Sequence, residues 1–206
     1  MKSIPAWLMR TEVIEYYRLT KPLNRAGYYE TAHHSQIIKN VRGALLEGRI
    51  VALCGVIGSG KTVMLRRLQQ QLKDENRITV SRSLTAEKHS VKLSTLVAAL
   101  FYDLSPGKKV RVPSRTEDRE RELQELVKKS KRPVALFIDD AHVLKDDTLT
   151  GLKRLMEVIE GDGGCLSVVL AGWPKLRNDL RRPKLEEIGL RTDTFSLDGI
   201  TGSQRE

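Results

Sequence analysis

Residues 55–62 read Gly-Val-Ile-Gly-Ser-Gly-Lys-Thr, a complete G-x-x-x-x-G-K-[ST] octet. It stands directly after the apolar run Ile50-Val51-Ala52-Leu53-Cys54 and directly before the helix-like Val63-Met64-Leu65-Arg66-Arg67-Leu68. This order confines the chain to few folds, because the glycine-rich turn must swing from the end of a buried strand into the first turn of a helix. Glycines let the backbone wrap closely and point successive N–H groups at phosphate, where the helix N-terminus adds roughly half a positive charge. The octet predicts a phosphate site built from Gly55, Val56, Ile57, Gly58, Ser59, Gly60, Lys61, Thr62 and Val63. Lys61 is expected to reach the β/γ-phosphates of ATP and the Thr62 hydroxyl to ligate Mg²⁺. The alternative, a chance glycine-rich turn, is disfavoured by the flanking strand and helix.

Binding phosphate does not by itself cleave it, so a metal-holding carboxylate at the end of another buried strand is the next requirement. Val134-Ala135-Leu136-Phe137-Ile138 is the continuous apolar run of a parallel strand buried on both faces, and it ends in Asp139-Asp140-Ala141-His142. Asp139 is expected to support the Mg²⁺ through its water shell, and Asp140 to orient the attacking water as a base. Adjacent carboxylates repel unless a cation lies between them, which itself argues for metal. As the alternative, Asp-Asp would cap the segment that follows.

The chain has 206 residues, of which 40% are hydrophobic and 5% aromatic, enough for one α/β core and hardly for two domains. No run has the length of a membrane-spanning helix, and the N-terminus lacks a secretory pattern, so a cytoplasmic protein without membrane contact is expected. Cys54 and Cys165 fall in apolar strand-like runs and read as small core residues. His33, His34 and His142 lack a matching ligand set at metal spacing. The net charge of +10 exceeds what ATP requires and points to a polyanionic partner.

Along the chain, residues 1–27 read as an N-terminal arm. Helices are predicted over Gln36–Leu46, from the octet to about Lys73, over Leu93–Leu104 up to Ser105-Pro106-Gly107, over Glu117–Ser130, and from Leu149 to Gly161. Strands are predicted at Ile50–Cys54, Ile78–Val80, Val134–Ile138, Cys165–Ala171 and Thr194–Leu197. Strands alternating with helices mean a parallel sheet covered on both faces, an α/β P-loop fold of about five strands.

Here the residues resemble a known group, the AAA+ ATPases related to ExeA and to the transposition regulators TnsC and TniB. The likeness runs roughly from Tyr16 to Ile200. It rests on the lead-in Tyr28-Tyr29-Glu30-Thr31-Ala32-His33-His34, the octet, Phe137 to His142, and Leu170-Ala171-Gly172-Trp173-Pro174-Lys175-Leu176-Arg177. The resemblance implies an ATPase core over residues 28–198, strand order 5-1-4-3-2, and, in residues 199–206, the start of a truncated or absent helical lid. It also implies an ATP site at the interface of a homo-oligomer, as ring or helical filament, that wraps DNA and recruits a transposase and a target-selection protein. His34 would line the adenine pocket, and Arg191 matches the arginine finger, with Arg181 and Arg182 as rivals. Such a finger, supplied to a neighbour's nucleotide, is worth about 10³ to 10⁵ in rate.

Three departures qualify the transfer. Asp140 stands where the family places Glu, one methylene longer, which predicts slow hydrolysis. Trp173 follows the Gly of the fourth strand where relatives often carry Gln, and an indole accepts no hydrogen bond. Residues 199–206 stop where the helical lid would begin, so a truncated or absent lid, without its sensor arginine, is expected.

For duplex DNA, the candidate contacts are Lys108, Lys109, Arg111 and Arg115, and, separately, Lys88 and Lys92 beside His89. Phosphate contacts of this kind carry little sequence preference, and no aromatic residues interleave for single-strand stacking. The expected function is an ATP-dependent, DNA-binding AAA+ regulator of transposition, released on hydrolysis. The alternatives are an ExeA-like secretion ATPase, which would bring a long C-terminal extension, and an ATP- and DNA-binding switch that scarcely turns over.

Overall fold

The computed structural model describes residues 30–83, 91–107 and 109–197. The chain divides into Met1–Thr31 and Ala32–Glu206. Of the first unit only Glu30 and Thr31 are described, and the architecture below is that of the second. The expected arm, the expected lid, Lys88, His89 and Lys108 lie outside the described residues.

Five strands form one parallel sheet: β1 (Ile50–Gly55), β2 (Thr79–Arg82), β3 (Val134–Ile138), β4 (Leu166–Gly172) and β5 (Thr192–Leu197). Their order is β2-β3-β4-β1-β5, the expected 5-1-4-3-2 read from the other edge. The inner strands β1, β3 and β4 are buried along their whole length, which is why they read as unbroken apolar runs. Successive side chains alternate between two cores. Ile50, Ala52, Cys54, Leu136 and Leu170 face one of them, while Val51, Leu53, Phe137 and Val169 face the other.

Helices α1 (Ala32–Leu46) and α2 (Lys61–Glu75) cover the second core through Ile37, Val41, Leu45, Met64 and Leu68. The first core is closed by α3 (Leu93–Leu104), α4 (Thr116–Ser130), α5 (Asp146–Gly161), α6 (Pro174–Leu180) and α7 (Glu186–Leu190). The apolar stripe Leu96, Val97, Leu100 and Phe101 is core, as its spacing predicts.

Several element boundaries moved at polar residues. α1 starts at Ala32 rather than Gln36, because its first turn brings only His34 inward and leaves no apolar period to read. β2 and β5 are the sheet edges, half-covered and polar, so β5 begins at Thr192 rather than Thr194. There Arg49 grips Asp193 through Nε–Oδ2 at 2.7 Å and Nη2–Oδ1 at 2.8 Å, pinning the starts of β1 and β5 together. Cys165 corrects the sequence reading: it precedes β4 and is only partly buried, with Sγ 3.7 Å from the Leu46 carbonyl oxygen, whereas Cys54 is core. Burial pushes both thiols up, so neither is an activated nucleophile.

Candidate nucleotide-binding site

β1 ends at Gly55 and the chain turns through Val56–Gly60 into α2. Gly58 and Gly60 have φ of +83° and +88°, a left-handed backbone that L side chains rarely adopt. A Cβ at either would meet no atom within 4 Å, so glycine is required there by conformation and not by packing. The loop thus leads into the first turn of α2, whose first N–H groups have no intrahelical partner, the arrangement that receives polyphosphate.

Lys61, the first residue of α2, is buried, and its Nζ donates to the carbonyl oxygens of Gly55 at 2.8 Å and Val56 at 2.7 Å. The ammonium is therefore fixed on the floor of the loop. Thr62 is exposed, and its Oγ1 donates to Asp139 Oδ2 at 2.8 Å. Two hard oxygen donors, one from the first turn of α2 and one from the end of β3, meet at one place, a donor set that fits a magnesium ion.

Asp139 follows β3, and its Oδ1 accepts the Asp140 N–H at 3.0 Å. Asp140 has φ +53°, a left-handed position that Asp and Asn tolerate better than other side-chain-bearing residues. Although it precedes the 3₁₀ turn Ala141–Val143, its side chain makes no capping hydrogen bond to that turn. The acidic pair also borders a cavity of about 110 Å³ that Ser83, Val91 and Leu144 help to line.

β4 lies between β1 and β3, so its tip separates the loop from the acidic pair. Trp173 begins there, half-exposed, and its indole stacks on the His142 imidazole with centroids 4.2 Å apart and planes at 14°. The sequence treats the two residues separately. Nothing in a single chain signals a stack between positions so far apart.

The other expected residues lie elsewhere. Ile50 pairs with Thr192 and Gly55 with Leu197, so Arg191 stands at the opposite end of β1 from the loop, on the order of 16 Å along the strand. It cannot serve its own chain's loop. Arg191 is exposed, and its Nη1 pairs with Glu157 Oε1 at 3.0 Å, while Lys153 reaches Glu157 at 3.4 Å and also pairs with Glu187. Of the rivals, Arg182 pairs with Asp146 at 3.1 Å and Asp179 at 3.3 Å.

His34 is buried, and the neighbouring His33 Nε2 lies 3.2 Å from the Ser196 carbonyl oxygen on the edge strand β5. Lys92 and Arg115 precede the first turns of α3 and α4, which with α5 line a groove of about 630 Å³. Lys109 and Arg111 are exposed, while Val110 and Val112 pack against the core, so the apolar residues between them anchor this basic stretch. Lys92, Lys109, Arg111 and Arg115 form no ion pair among the described residues.

Comparison with known proteins gives these features relatives. The family model of the AAA domain matches residues 45–180. General secretion pathway protein A of Aeromonas hydrophila is 31% identical over 166 residues, covering 79% of this chain and 29% of that protein. This chain thus spans under a third of that relative's length. Among solved structures, the Aeropyrum pernix ORC2 protein, in its ADPNP–ADP complexes, superposes with TM-score 0.64 at 12% identity over 87% of this chain and 52% of that one. The Aeropyrum pernix ORC1 protein in complex with DNA gives 0.60 at 14% identity over 85% and 47%. Identities this low establish the fold alone. No helix among the described residues is long and apolar enough to cross a membrane.

Proposed function

The chain belongs to the AAA domain family, and from that premise we propose that it is a magnesium-dependent ATPase that assembles on duplex DNA and regulates transposition. The observation that carries the nucleotide part is the meeting of Thr62 and Asp139 beside the Lys61 loop. When bound, ATP supplies the cleavable γ-phosphoryl group and Mg²⁺ neutralises charge on its oxygens. Lys61 holds the β/γ-phosphates, Thr62 and Asp139 hold the metal, and Asp140 orients the attacking water and takes its proton. Its short side chain makes turnover slow. Arg191, remote from its own loop, acts on the nucleotide of a neighbouring copy, which ties ATP to assembly.

The DNA part is supported by the +10 charge and by the exposed Lys92, Lys109, Arg111 and Arg115. A fold relative was solved in complex with DNA. The likeness of Tyr28 to Arg177 to the TnsC and TniB group supports transposition, with a transposase and a target-selection protein as partners. The core of this machine is residues 28–198.

A second reading, secretion, is favoured by the identity to general secretion pathway protein A. Fluorescence anisotropy on duplex DNA with an ATP analogue, across a salt series, separates the two. Salt-sensitive binding with little sequence preference is expected. No binding at low salt would favour the secretion reading.

A further inference from the structure

The tip of β4 is the ground between the P-loop on β1 and the acidic pair on β3. This chain places Trp173 at that tip, a side chain whose only polar group is a donor already carried on a ring committed to stacking. The polar group in reach is its partner. His142 follows Asp140 by two residues on the 3₁₀ turn, and the charged groups acting on its ring are Asp140, Lys175, Lys61 and Asp139. The ring therefore stands in the field of the P-loop lysine and of both carboxylates. Its Nδ1 is buried and has no hydrogen-bond partner among the described residues.

The mounting is tight. A Cβ at Gly172 would come 3.0 Å from the His142 backbone nitrogen and 3.3 Å from the His142 Cβ, so the bare α-carbon lets the β4 tip press on the turn. Parallel rings at 4.2 Å leave the imidazole little freedom to rotate. A neutral imidazole has one N–H donor and one acceptor nitrogen, and burial is the first cause holding His142 toward that form.

We propose that the His142 imidazole, held by the Trp173 indole, is the group through which this site tells a nucleoside triphosphate from a diphosphate. A ring N–H donates to an oxygen of the terminal phosphate, and Trp173 is the positioning residue. The inference rests on the nucleotide-binding reading above.

The test uses the full chain with Trp7→Phe, which leaves Trp173 as its sole tryptophan. ADP and a non-hydrolysable ATP analogue, each with magnesium, are titrated by calorimetry and by indole emission. Both nucleotides should bind, and the analogue alone should shift the emission. His142→Phe keeps a stacking ring and loses the donor. It should bind ADP as the parent does and the analogue about ten-fold more weakly, the scale of one hydrogen bond to a charged group, with the emission response lost. His142→Asn, which keeps an N–H, should retain more preference for the analogue than His142→Phe. No heat with either nucleotide overturns the nucleotide reading and this inference with it. Binding of both with equal emission responses, or an undiminished preference in His142→Phe, overturns this inference alone.

Discussion

Thr62 Oγ1 and Asp139 Oδ2, 77 residues apart in sequence, are joined by a hydrogen bond of 2.8 Å. The bond joins the first turn of α2, which follows the loop at the end of β1, to the residue after β3, and it sets the two oxygen donors at one point. Thr62→Val keeps the shape and removes the hydroxyl. Calorimetry with the ATP analogue should show a magnesium-dependent gain in affinity that is at least about ten-fold smaller than in the parent, with Tm little changed.

Lys61 donates to two loop carbonyls and is the only side-chain cation fixed on the loop floor among the described residues. Lys61→Ala removes a point charge that meets the β/γ-phosphates. Nucleotide affinity should fall by about 10² or more, the scale of two charge-assisted hydrogen bonds. Unchanged affinity in the titration would contradict the role given to this loop.

Asp140 sits at φ +53°, where asparagine is equally tolerated, so Asp140→Asn changes the charge and leaves the backbone unstrained. ATP should stay bound while phosphate release slows by about 10², the usual scale for losing a general base. An unaltered rate would assign the base elsewhere.

Arg191 is paired with Glu157 at 3.0 Å and lies at the far end of β1 from its own loop. Its variant should therefore be rescued by a partner. Mixing Arg191→Ala with Lys61→Ala should give more ATPase activity than the two proteins measured apart, because some interfaces join an intact loop to an intact finger. A mixture no better than the sum rules out action in trans.

Lys92, Lys109, Arg111 and Arg115 are exposed and without ion pairs among the described residues. Each one that touches a DNA phosphate contributes about 0.9 to the log–log slope of affinity against salt. Replacing them singly by Gln should flatten the slope by about one unit for each phosphate no longer neutralised, across duplex sequences alike, with ATP binding retained. A slope that stays constant would place the DNA-binding charge on other cations.

The sequence alone determined what depends on neighbours along the chain. The octet, the inner strands Ile50–Gly55, Val134–Ile138 and Leu166–Gly172, and the stripe from Leu96 to Phe101 are written in contiguous residues. Burial on both faces leaves an unbroken apolar run, and burial on one helix face leaves a 3.6-residue period. The family resemblance carried the strand order as well, but no local pattern contains it. Tertiary structure decided everything that pairs distant positions. Sheet order brought Thr62 to Asp139 and put β4 between them, and register sent Arg191 away from its own loop to Glu157. Close packing at the β4 tip stacked His142 on Trp173. The full extents of the edge strands β2 and β5 and the partial burial of Cys165 escaped the sequence reading for the same reason: half-covered positions tolerate polar residues, so composition there no longer reports burial.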